Sequence, residues 1–371
     1  MSTWTSWLAQ RAELRDERGT TRTIGVLRDD ATIDLAGNDY LGLSRDSRVV
    51  AAAVAALEEY GAGAGASRLV TGTLPVHEDL EAALAELCGQ QSALVFASGY
   101  AANLGAVTAF VDRDTSILLD EHAHASLHDA ARMSRAPHET FAHNDIDDLA
   151  RALSQQPGRS IVAVESVYSV LGDAAPLSEL ADVCARYGAL LIIDEAHGIG
   201  VAGEGRGLAH TLGIAGAEDV IVTATLSKAL GAQGGVVLGT PAVREHLINA
   251  ARTFIFDTGL APAAAAGALA ATNIVREQPD LVVAIGRHTA QISRALEISP
   301  SAGAVLSVPM PTPAAAVAAR EQLRERGVLV GCFRPPSTPD EVARLRLTAR
   351  ADLTPVQVEF TADEVRRAAA C

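Results

Sequence analysis

From about residue 90 the chain alternates short runs of β-branched and aliphatic residues with longer stretches whose apolar residues recur at helical spacing. Such alternation buries both faces of its strands when the strands run parallel in one sheet covered by helices, which makes the fold class α/β. The pattern predicts strands over 93–96, 116–119, 161–165, 190–194, 220–223 and 235–238. Between the third and fourth, Leu177, Leu180, Cys184 and Tyr187 keep helical spacing, and Gly188 stands where that helix would end. Residues 1–37 read as a helix around 7–14 followed by a hairpin-like stretch. Beyond about 245 the texture changes. An Ala- and Pro-rich buried helix over 261–271 leads to strands at 305–308, 328–330 and 344–348, with a further helix running through Leu323. The expected division is an N-terminal segment (1–37), a large domain (38–245) and a smaller α+β C-terminal domain (246–371).

Composition narrows the function. Hydrophobic residues make up 49% of 371, enough to bury a sizeable core. A net charge of −15 disfavours nucleic acid and anionic membrane as partners. The first ten residues hold Trp4, Trp7 and several hydroxyls, not a basic stretch followed by an apolar run, and the later apolar runs are short. No secretory signal or membrane span is expected, and the cytoplasm is the expected compartment. Cys88, Cys184, Cys332 and Cys371 are scattered without a C-x-x-C pair, so neither a disulfide framework nor a zinc site is expected. The most restrictive count is that of lysine. Of 30 basic residues one is lysine, leaving 30 − 1 = 29 arginines. A guanidinium stays protonated and cannot form a Schiff base, so a side-chain amine nucleophile in this chain must be Lys228.

Four segments carry candidate chemistry. In Leu190-Leu-Ile-Ile-Asp194-Glu-Ala-His197-Gly an apolar run ends in an acid, where open α/β sheets place their ligands. A carboxylate there would keep a pyridoxal ring nitrogen protonated, making the ring an electron sink; a strand-end acid capping a helix fits the fragment equally well. One strand later, Thr225-Leu-Ser227-Lys228 sets two hydroxyls just before the sole lysine, suiting a phosphate beside an aldehyde. Ser98-Gly99-Tyr100 follows a strand and opens a helix, whose free N–H groups suit a phosphate or simply an ordinary cap. Asp120-Glu121-His122-Ala-His124-Ala-Ser126-Leu-His128 could supply metal ligands, but a histidine lying flat over a cofactor ring explains it better, and no metal is expected. Gly61-Ala-Gly63-Ala-Gly65 follows a helical stretch (49–60), not a strand, so it lacks the context of a dinucleotide loop.

Taken in order, Ser98–Tyr100, Asp194, His197 and Lys228 resemble the fold-type I enzymes dependent on pyridoxal 5'-phosphate (PLP). Asn38-Asp-Tyr-Leu-Gly-Leu43, Gly65-Ala-Ser-Arg-Leu-Val-Thr-Gly72, His124-Ala-Ser126 and Arg344-Leu-Arg346-Leu-Thr348 narrow the resemblance to the α-oxoamine synthases. That resemblance implies a large domain with a mostly parallel mixed sheet sandwiched by helices, plus a smaller α+β domain. It further implies a homodimer and a decarboxylative condensation of an amino acid with an acyl thioester. His197-Gly and the segment from Phe254 to Pro262 favour the branch that joins L-alanine to a pimeloyl group on coenzyme A or acyl carrier protein, toward biotin. The alternatives are a sister enzyme using glycine, a PLP aminotransferase, and a non-catalytic partner subunit, which would lack the lysine.

By position, the resemblance implies that Lys228 forms the Schiff base and takes the Cα proton, and that Asp194 pairs with the ring nitrogen. His124 would stack on the ring, with Ser169 and His197 at its phenolic oxygen. Ser98, Gly99, Tyr100, Thr225 and Ser227 would lie near the phosphate, approached by Thr258 of the second subunit. Arg346 would hold the substrate carboxylate, Arg15 would orient the acyl group, and Asn38 would lie nearby. Asp257 departs from the Ser-Thr pattern of many relatives, and an acid beside a phosphate is unfavourable unless it points away.

Overall fold

The computed structural model describes residues 2–17, 21–22, 24, 32–335, 337–338 and 340–370. The hairpin-like stretch expected before residue 37 falls mostly outside the described residues, as does Cys371. The chain forms two compact units, residues 1–32 and 33–371. In the first, helix Thr3–Glu17 covers the expected 7–14 segment, and Arg15 lies in its last turn.

The second unit contains two sheets. Strands β1 (Ile33–Leu35), β2 (Ser92–Phe96), β3 (Thr115–Asp120), β4 (His138–Phe141), β5 (Arg159–Glu165), β6 (Leu190–Asp194), β7 (Val220–Thr225), β8 (Gly235–Gly239), β9 (Val305–Pro309), β10 (Val328–Phe333) and β11 (Arg344–Thr348) follow in chain order. Seven of them make a sheet of order β2-β8-β7-β6-β5-β3-β4. Its five central and far strands are parallel, while β8 runs antiparallel to both β7 and β2. The other four make the sheet β1-β10-β11-β9. All six strands expected between 93 and 238 are present, and their ends move by only a residue or two.

One strand escaped the sequence reading, and another lies in the stretch read as hairpin-like but pairs elsewhere. β4 is His-Glu-Thr-Phe, an edge strand with only Phe141 buried, so it carries no apolar run. β1 pairs parallel with β10, Ile33 opposite Val328, a partner nearly three hundred residues away that no local pattern announces.

Strand alternation decides what reaches the site. Ile161, Ala163 and Ile192 pack on one face of the large sheet, Val162, Val164, Leu191 and Ile193 on the other. Asp194 continues the Ile192 face toward helix Gly99–Thr108, and Glu195 continues the opposite face. There Glu195 accepts from Ala209 N–H at 2.8 Å and from the Ser166 hydroxyl at 2.6 Å. A Cβ at residue 198 would meet Glu195 Oε2 at 1.6 Å, which is why glycine follows His197. Helix Leu177–Tyr187 ends on Gly188 at φ 64°, the left-handed cap expected there. Helix Pro262–Glu277 buries Ala265, Ala268 and Ala271, as read from its composition. The Gly61–Gly65 segment is a turn after helix Ser47–Tyr60.

Candidate active site

Parallel strands β3, β5, β6 and β7 all point their C-terminal ends at one cleft, and β11 of the small sheet brings Arg346 to the same place. The cleft holds about 1320 Å³ of empty space including its mouth, and Asn38, His124, Ser169, His197, Lys228 and Arg346 line it. Among the described residues no helix is long and apolar enough to cross a membrane, and no group of three or more His, Cys, Asp or Glu is arranged to hold a metal ion.

Lys228 follows β7 in a turn closed by Gly231 N–H on Lys228 O at 2.9 Å. Gly231 sits at φ 61° and a Cβ there would meet Ser44 N at 2.4 Å, so close backbone approach demands glycine. The Lys228 amine lies 2.7 Å from His197 Nε2. Burial pulls that amine down to about 8, against the opposing pull of Asp194 and Glu165. His197 is itself buried, and its Nδ1 lies 2.7 Å from the Tyr40 hydroxyl, which donates to Asn38 Oδ1 at 3.0 Å. Burial first, then the cations Lys228 and Arg346, hold His197 well below the ordinary imidazole value. The neutral tautomer this network assigns accepts from Lys228 at Nε2 and donates from Nδ1.

Arg346 closes the chain of contacts. Its Nε donates to Ser169 O at 2.6 Å, and both terminal nitrogens lie 3.2 Å from Asn38 Oδ1. It is 5% exposed, and its partners among these residues are neutral oxygens. A buried guanidinium so placed keeps most of its charge for an incoming carboxylate.

The second half of the site is a polar relay that runs from Asp194 on β6 to the His124 loop. Asp194 accepts from Ala196 N–H at 2.8 Å and from Asn103 Nδ2 at 2.7 Å. Asn103 also donates to Ser126 Oγ at 2.8 Å and accepts from Thr223 Oγ1 at 2.5 Å. Ser126 lies 2.7 Å from His124 Nδ1, which also receives the Ser126 backbone N–H at 3.2 Å. With the hydroxyl and the backbone N–H of Ser126 both directed at Nδ1, the His124 proton sits on Nε2 and the ring is held in the cleft wall.

Glu165, the last residue of β5, pairs in register with Asp194. It is 2% exposed and its Oε1 has no hydrogen-bond partner among the described residues. Burial, then the charge of Asp194, raises it well above the ordinary carboxylate value.

The residues fit PLP. Ser98 caps helix Gly99–Thr108, and Thr225 and Ser227 place hydroxyls 2.7 Å apart beside it. A Cβ at residue 235 would meet Ser98 O at 2.3 Å and Gly99 N at 2.6 Å, so this hydroxyl- and amide-lined corner depends on glycine at 235. A phosphate suits it, with an acid and an amine farther in for the ring. The Tyr100 side chain turns outward, its hydroxyl donating to Asp129 at 2.9 Å, which leaves only its backbone N–H for an anion. Asp257 and Thr258 are exposed beyond helix Arg252–Ile255.

The motifs named His124, Asp194, His197, Lys228 and Arg346, and the fold brings them together. They missed Tyr40, Asn103, Ser126, Thr223 and Glu165 as parts of the site. Tyr40 and Ser126 lay inside quoted motifs and could have been found there. Asn103 and Thr223 lay in the helix that Ser98–Tyr100 opens and the strand that leads to Lys228, and could have been looked for there too, whereas Glu165 carried no local signal beyond being a polar residue at the end of an apolar strand.

The model of the family "Aminotransferase class I and II" matches residues 30–365. The 8-amino-7-oxononanoate synthase of Mycolicibacterium gilvum is 52% identical over 355 residues, covering 94% of this chain and 93% of that protein. Serine palmitoyltransferase of S. paucimobilis, solved with a PLP–myriocin aldimine, is 28% identical with a TM-score of 0.91 over 99% of this chain and 98% of that one. The 8-amino-7-oxononanoate synthase of Francisella tularensis is 27% identical with a TM-score of 0.79, covering 91% and 98%. The chain belongs to the class I and II aminotransferase family, among its 8-amino-7-oxononanoate synthases.

Proposed function

We propose that this chain, with PLP on Lys228, condenses L-alanine with a pimeloyl thioester of coenzyme A or acyl carrier protein to 8-amino-7-oxononanoate, CO2 and free thiol. The observation that carries the reading is the sole lysine amine facing His197 and Asp194 at the strand ends, in a chain half-identical to synthases of that name. PLP supplies an electron sink beside the amino-acid Cα.

The chain's own residues do the rest. Asp194, anchored by Asn103, keeps the ring nitrogen protonated. His124 covers the ring, and Ser169 and His197 face its phenolic oxygen. Ser98, Gly99, Tyr100, Thr225 and Ser227 take the phosphate, joined by Thr258 from the second subunit of a homodimer. Lys228, pulled down to about 8, is a competent base for the Cα proton near neutral pH. Arg346 holds the alanine carboxylate, with Asn38 beside it and Arg15 toward the acyl chain. The division at residue 245 into cofactor-binding and smaller parts, and action in the cytoplasm, belong to the same reading.

Thiol release by the PLP-loaded protein tests it, comparing alanine and glycine against pimeloyl-, acetyl- and succinyl-coenzyme A. Turnover confined to alanine with the pimeloyl thioester supports the proposal. Preference for glycine with a short acyl donor reassigns the chain to a sister activity.

A further inference from the structure

The loop that delivers His124 is anchored from outside the cleft by a histidine with no motif around it. His143, just beyond β4, lies with Nδ1 2.8 Å from Asp120 Oδ1 and Nε2 2.8 Å from Asp173 Oδ2. A neutral imidazole has one N–H and one lone pair, so it can donate to only one of two carboxylates; an imidazolium donates to both. Burial pulls the ring down, but the hydrogen bonds it donates to Asp120 and Asp173, with their charges, outweigh it and raise His143 to about 9.

The surroundings are accounted for. Asp120 comes from β3, Asp173 and Tyr168 from the turn after β5, and His122 from the loop after β3. His122 stacks on His143 at 3.7 Å and 17°, and Tyr168 meets it edge-on at 4.4 Å. Burial, then the charge of His143, holds His122 below its ordinary value, so a neutral ring lies on a charged one. Asn144 reinforces the bridge: its backbone N–H donates to Asp120 Oδ2 at 2.9 Å and its amide to Asp173 Oδ2 at 3.1 Å.

Both ends of the bridge lead into the cleft. The Asp120 loop carries His122 and, two residues on, His124. The Asp173 turn is closed by Tyr168 N–H on Asp173 O at 2.9 Å and carries Ser169, whose carbonyl holds Arg346.

We propose that His143 is a positioning residue that, while protonated, clamps the His124 loop to the Tyr168–Asp173 turn and so sets the placement of both His124 and Arg346. The inference rests on the proposed function, in which those two side chains face cofactor and substrate.

The test compares the PLP-loaded wild type with Asp173→Asn and His143→Gln. The readouts are histidine NMR titration, circular dichroism of bound PLP, and the pH dependence of kcat and of KM for alanine. Removing one carboxylate by Asp173→Asn should move the His143 titration, and with it the alkaline rise in alanine KM, about one pH unit lower. His143→Gln should abolish that component and raise alanine KM about tenfold at neutral pH, because a misplaced binding group is costly even when retained. Lys228 is unchanged in all three proteins, so the difference between them is diagnostic. Asp173→Asn conserves size, and so tests the charge even if His143→Gln folds poorly. A shifted His143 titration with unchanged KM profile and unchanged dichroism would overturn the inference alone. A wild type that binds no PLP would overturn it together with the proposed function.

Discussion

His197 and His143 lie in one molecule, each bridging two partners, and their neighbours drive them in opposite directions. His197 sits between an amine and a phenol, with Arg346 nearby, and is held well below the ordinary imidazole value. His143 sits between two carboxylates and is raised to about 9. Burial opposes the charged form of both, so the sign of the partner decides. A histidine that must accept a hydrogen bond from an amine is kept neutral; one that must donate to two loops is kept charged.

The largest expected effect comes from removing the cation at His197. Lys228→Ala should cut condensation below about a thousandth of the wild-type rate. It should also let the His197 imidazole rise, though not to its ordinary value, because burial is the larger cause. Turnover at the wild-type rate would end the mechanism, and an unmoved His197 resonance would remove Lys228 from the comparison. Asp194→Asn tests the relay that links β6 to the His124 loop. PLP should still bind, while deuterium exchange at alanine Cα should fall about a hundredfold; unchanged exchange would show that the Asp194 pairing is wrong. Arg346→Ala removes the second cation near His197 and should weaken apparent alanine affinity about thirtyfold, or ~2 kcal/mol. An unchanged KM would assign the carboxylate elsewhere.

The smallest effect is on stability. His143 is raised, so its contribution is fully present below about 6.5 and lost as pH rises through about 9. Lys228 is lowered to about 8, so between there and 10.5 it works the other way, stability rising with pH. Urea unfolding of wild type against His143→Gln isolates the first contribution. The gap should shrink by about 1–2 kcal/mol from pH 6 to pH 9.5, a figure discounted for the open side of the cluster. A gap independent of pH would mean that His143 is not charged in the folded protein.

Much of the site was legible because its chemistry is local in sequence. An apolar strand ending in Asp194, a lysine three residues after Thr225, and a His-x-Ser turn at 124–126 each fit within a few positions, so one strand end or helix cap displays them together. The central strands were legible for a similar reason: full burial demands continuous aliphatic runs. β4 was not, because an edge strand with one buried side chain needs no such run. Tyr40, although inside a quoted motif, had no visible partner, since His197 lies 157 residues away. His143 lies in Phe141-Ala-His143-Asn-Asp145, where nothing in the spacing hints at Asp120 or Asp173.

What the sequence determined by itself was the α/β class, the one residue able to carry an amine-bound cofactor, and the acid at the neighbouring strand end. These follow from periodicity and from functional groups that no other residue in the chain supplies. What only the tertiary structure decided was protonation. Whether Glu165, His197, His143 or Lys228 carries a charge depends on burial and on partners from other strands and loops. Side-chain chemistry is written residue by residue, whereas the electrostatic field each group meets is summed over neighbours that only folding assembles.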